Sequence, residues 1–167
     1  MPLPAPAALA PFAPLRACLF ALAFAAPVAV VPVMLSAQVI EDCGWVSSPA
    51  HITEPWDENS RSFANGAVRV ARLDTGGEPV CCAVHLLILS PAPEGPHRQC
   101  HTASPASGRG FFDIDFSGIS ASYDPAQGLL VSVPVFHWHS GVETGAGGIP
   151  DRMEILVNQA TGAVTAD

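Results

Sequence analysis

Lysine is absent from this chain, and its seven basic residues, all arginine, stand against 15 acidic ones. The formal net charge is −8, and the arginines are scattered rather than clustered. That balance excludes a basic footprint for nucleic acid and disfavours an anionic lipid surface. Nucleotide and hydrolase signatures are missing too. "GAGG" at Gly145–Gly148 has neither the lysine nor the helix of a phosphate loop. No G-x-S-x-G elbow occurs, and no spacing links serine, histidine and aspartate into a nucleophilic set.

Two-cysteine motifs are also lacking. "HRQCH", His97–His101, carries a histidine where a haem-attachment site C-x-x-C-H needs its first cysteine. Cys100 alone cannot make that attachment. Tetrathiolate zinc sites show C-x₂₋₄-C pairs, and these spacings do not.

What the chain does hold is an apolar leader. No charged residue falls between Arg16 and Glu41. Arg16, the apolar run to Val33 and then "MLSAQ" read as a secretory signal peptide over 1–37, cleaved after Ala37. The run nears the ~20 residues that span a bilayer, so an uncleaved N-terminal anchor is the alternative. Either reading puts the remaining domain outside the cytoplasm, periplasmic or extracellular. Residues 38–167 are enough for one hydrophobic core, and the acidic excess favours solubility.

Four cysteines follow the leader: Cys43, Cys81, Cys82 and Cys100. An even number in an exported domain predicts disulfides. Cys81 and Cys82 are neighbours in "PVCCAVHLLILS", which reads as a strand, and neighbours on a strand point to opposite faces. The expected pairing is therefore Cys43 with one of them and Cys100 with the other.

Residues 38–58 read as an irregular segment and 59–167 as a β domain. Asn65-Gly66 is a two-residue hairpin signal between "SRSFA" and "AVRVARLD". With "VCCAVHLLILS" these segments form a predicted antiparallel meander. The last is apolar on both faces and belongs in the centre of a sheet. Cys100–Ala103 suits a short edge strand. "GFFDIDF" alternates, with Phe112, Ile114 and Phe116 on one face. "LLVSVPVFHWH" is a long strand whose Pro134 argues for an edge or a bulge. "MEILVN" and "AVTA" close the chain. No window after the leader keeps helical periodicity. The expected fold is all-β, a single small antiparallel β-sandwich or open barrel.

The chemistry-bearing candidates are few. On a strand His137 and His139 share one face roughly 7 Å apart, a spacing that suits two ligands of one transition metal. Third ligands available are His85, His101, Asp113, Asp115 and Glu143. His85, mid-strand, would otherwise be a core histidine that needs a hydrogen-bond partner. Asp113 and Asp115 offer paired carboxylates for glycoside hydrolysis or calcium. Strand alternation alone also explains them, as the wet face opposite Phe112, Ile114 and Phe116. With no complete catalytic motif and no cofactor motif, the expected function is a non-catalytic binding, interaction or envelope-structural module. A metal-binding protein and a hydrolytic enzyme are the alternatives.

Overall fold

The computed structural model describes residues 38–77, 81–140 and 147–167. The expected leader and Glu143 lie outside the described residues. Among the described residues ten strands make two antiparallel sheets of five strands each. Among the described residues no helix is long and apolar enough to cross a membrane.

The first sheet contains β1 (Val39–Asp42), β2 (Ser60–Phe63), β3 (Val68–Asp74), β4 (Val84–Pro91) and β5 (Arg98–Ser104), in the order β1-β5-β4-β3-β2. The hairpin β2–β3 has the predicted turn. Its register, Ser60 opposite Ala71 and Phe63 opposite Val68, carries on to put Asn65-Gly66 at the tip. Ala64, Asn65 and Gly66 all have positive φ, the backbone region that asparagine and glycine enter most readily. The apolar strand β4 is central, as its two-faced hydrophobicity predicts.

β5 differs from expectation. It is seven residues long and lies inside the sheet, because β1 pairs with its free side from Val39↔Ser104 to Asp42↔His101. Residues 38–58 are therefore not wholly irregular. They supply β1, then 3-10 turns at Trp45–Ser47 and Pro49–His51, and Ile52 bridges to Leu73.

The second sheet contains β6 (Asp113–Ile114), β7 (Ser120–Asp124), β8 (Gly128–His137), β9 (Ile149–Val157) and β10 (Val164–Ala166). β8 pairs with β9 on one side and with both β7 and β6 on the other. Pro134 thus sits in a central strand, against expectation. Its missing N–H falls at the break between β6 and β7, where no strand asks for it. There its ring packs so close to Gly118 that a Cβ would come within 2.9 Å of Cγ.

The predicted strand in "GFFDIDF" shortens to Asp113–Ile114. Phe111 leaves the alternation to bridge Val84 and is fully buried, while Ile114 and Phe116 are also buried.

Inward residues of both sheets form one buried cluster. Val70, Leu86 and Ile88 come from the first sheet, Val131, Val133 and Ile155 from the second. Burying such aliphatic side chains stabilises the fold by about 1.5–3 kcal/mol each. A second, smaller cluster of Ala71, Leu73 and Leu87 lies on the other face of the first sheet. Val46 and Ile52 from the N-terminal segment cover it.

Candidate functional site

The cysteines pair differently from the expected scheme. Cys43 bonds to Cys100, with Cα atoms 5.4 Å apart, and Cys81 bonds to Cys82. The reason is topological. With β1 beside β5, Cys43 falls directly opposite Cys100, and its N–H donates to the Cys100 carbonyl at 3.2 Å. Cys81 and Cys82 precede β4 rather than lie within it, so alternation across a strand does not separate them.

The four candidate metal histidines stand on separate partners. His85 is buried on the outer face of the first sheet, where its Nδ1 shares a 2.7 Å hydrogen bond with Ser104 Oγ. Burial lowers its pKa, and the charges of Glu41 and Asp74 partly offset this. His101 Nε2 lies 3.6 Å from Asp42 Oδ1. His137 donates from Nε2 to Asp151 Oδ2 at 3.0 Å, and His139 donates from Nδ1 to the Ser140 carbonyl at 3.1 Å. Among the described residues no three of His, Cys, Asp and Glu are grouped to hold a metal ion.

The carboxylates of "DID" have local work. Asp113 pairs with Arg72 at 2.8 Å. Asp115 accepts from the Ser117 hydroxyl and from the Ser117 and Gly118 N–H groups, and the hydroxyl is the main reason its pKa is lowered. His85 and Ser104 form the sole histidine–serine side-chain hydrogen bond among the described residues, but they are 4% and 2% exposed. A substrate has no access to that pair.

The structure brings together a different set. A pocket of about 480 Å³ is lined by Cys81, Cys82, Arg109, Phe112, His137 and Trp138, with Pro105, Ala106 and Gly110 completing its wall. Its volume lies within the range of small-molecule sites. Three backbone features build it. First, Gly110 donates to the Cys82 carbonyl at 2.8 Å and Phe111 to the Val84 carbonyl at 2.6 Å. This holds the cysteine pair against the 109–112 segment. Only glycine fits at 110, since a Cβ would lie 2.5 Å from the Cys82 oxygen. Second, the Ala106–Arg109 turn, with Gly108 at positive φ, delivers Arg109 to the rim. Third, β8 pairs with β9 to its last residue, His137↔Ile149, which carries Trp138 to the sheet end.

Inside this frame His137 is doubly fixed. Its ring meets the buried Phe111 edge-on at 5.6 Å, and Asp151 holds Nε2. Nδ1 is the remaining ring nitrogen, an acceptor while Nε2 carries the hydrogen. Trp138 is 40% exposed, a large apolar surface left uncovered. Of these residues the sequence reading singled out the two cysteines as disulfide partners and His137 as a ligand. It missed Arg109, Asp151 and Trp138. The available signal was the tryptophan between two histidines at the end of a strand, an apolar residue where a polar loop begins.

No family model, no curated protein and no solved structure matches the chain.

Proposed function

We propose that this is an exported β-sandwich domain that acts as a non-catalytic binding module, with the Cys81–Cys82/Trp138 pocket as its ligand seat. One observation carries the reading. The pocket joins an exposed indole, a phenyl ring and a disulfide with a few polar groups, the composition of a small-molecule site. The Cys43–Cys100 bond supports an oxidising compartment, and the leader-like sequence is consistent with that. Against catalysis stands the chemistry present. Among the described residues the pocket lining offers a histidine but no serine or threonine hydroxyl to attack a substrate.

The test is a screen of chemically mixed fragments by ¹⁵N–¹H correlation spectra of the full chain. Binding is expected to shift the amides of Cys82, Gly110, Phe112 and His137 and the indole N–H of Trp138. Trp138→Ala should abolish those shifts without altering the rest of the spectrum. A screen in which no fragment moves this set refutes the reading.

A further inference from the structure

We infer that the pocket selects an organic anion, a ring compound bearing a carboxylate, and that Arg109 reads the charge. This rests on the pocket being the ligand seat and names what it takes.

Charge is the first observation. The chain carries about two acidic residues for each basic one, yet the described pocket lining contains Arg109 and His137 and no carboxylate. Two other concavities among the described residues have the opposite character. A hollow of about 330 Å³ on the second sheet is lined by Asp124, Glu154 and Asp167. A groove of about 550 Å³ holds Asp57, Glu58, Asp113 and Asp115. Its arginines are occupied, Arg72 by Asp113 and Arg61 by the carbonyls of Asp57 and Ser60. By contrast, the Arg109 guanidinium makes no hydrogen bond or ion pair among the described residues, and the side chain is exposed at the pocket rim.

Shape supplies the second observation. Trp138 and Phe112 line the same space as Cys81 and Cys82. A ring stacked on an indole gains from area burial and from the aromatic face. A guanidinium at the rim then takes the carboxylate of that ring through paired N–H donors. His137 lines the same space, with its Nε2 held by Asp151.

The probes are phenylacetate, its neutral amide phenylacetamide, and acetate, titrated into the full chain and followed by the Trp138 indole N–H and Gly110 amide. Phenylacetate should bind about tenfold more tightly than phenylacetamide, the ratio expected of one charge-assisted hydrogen bond. Acetate, which has the charge without the ring, should not saturate. Arg109→Gln should remove the preference by weakening phenylacetate about tenfold, while Arg109→Lys should retain part of it. Equal binding of the two ring probes, insensitive to Arg109→Gln, overturns the anion inference and leaves the seat standing. Failure of phenylacetate to shift these signals also overturns it. The mixed-fragment screen then decides separately whether the pocket binds anything.

Discussion

Removing the Cys43–Cys100 bond should cost this domain a large part of its stability. The two cysteines are 57 residues apart in sequence, and the loop they close contains β2, β3 and β4. In the chain-entropy treatment, closing a loop of that length removes about 14 cal/mol/K from the unfolded ensemble, or about 4 kcal/mol at 25 °C. The native state adds little to oppose this. The bond joins residues already opposite one another on adjacent strands, with a backbone hydrogen bond between them. For a domain of this size, 4 kcal/mol corresponds to a fall in melting temperature of roughly 10–20 °C. Cys43→Ala/Cys100→Ala should show that fall in thermal unfolding followed by far-ultraviolet circular dichroism. Cys81→Ala/Cys82→Ala is the comparison, because a bond between neighbours closes almost no loop and constrains the unfolded chain little. Hydrogen exchange should also show β1 as the strand most exposed by the first substitution, since among the described residues only β5 pairs with it. If both double variants melt within a few degrees of the parent, or if the second loses more than the first, the loop-closure reasoning is wrong.

Stability should fall as the pH drops below the ordinary histidine pKa near 6.5. In that range the unfolded chain takes a proton that buried His85, with its lowered pKa, refuses, and the loss stops once the pH passes the folded value. Denaturation midpoints of His85→Gln against pH should lack this component, and profiles parallel to the parent would contradict it. Gly110→Ala should lose about 1–3 kcal/mol in urea unfolding, because its Cβ meets the Cys82 oxygen and the Val84 nitrogen at 2.5 and 2.7 Å. Fully buried Ile155→Ala should lose about 2–5 kcal/mol, against about 1 kcal/mol or less for Leu130→Ala on the 37% exposed outer face of the same sheet.

Much of the strand content was legible because its signals are local. "AVRVARLD" and "MEILVN" fall in β3 and β9 but for one end residue each, the part of "VCCAVHLLILS" from Val84 falls in β4, and Asn65-Gly66 sits at the tip of its hairpin. The errors share a cause. Pro134 looked like an edge marker, yet a central strand holds it because its two neighbours on one side part at that residue. "GFFDIDF" looked like a full strand, yet Phe111 and Ile114, an odd and an even position, are both buried. In each case a partner distant in sequence decided the outcome.

The site was less legible than the fold. His137 and His139 were legible as a pair on one strand. In the structure the strand ends at His137, and Asp151 and Ser140 take their nitrogens separately. The pocket draws its walls from segments near positions 81, 109 and 137, and no window of the sequence contains all three.

By itself, the sequence determined that this chain is built of short strands with turns between them, and that its cysteines are placed for disulfides. Period-two patterning and turn chemistry act over a few residues, so they can be read without a partner. Only the tertiary structure decided that β1 inserts beside β5, that Cys43 therefore meets Cys100, and that Arg109 and Trp138 share a pocket with Cys81–Cys82. Those outcomes depend on which strands lie side by side. That choice is made by the shared core and the hydrogen-bond ladders between distant segments, not by any one of them.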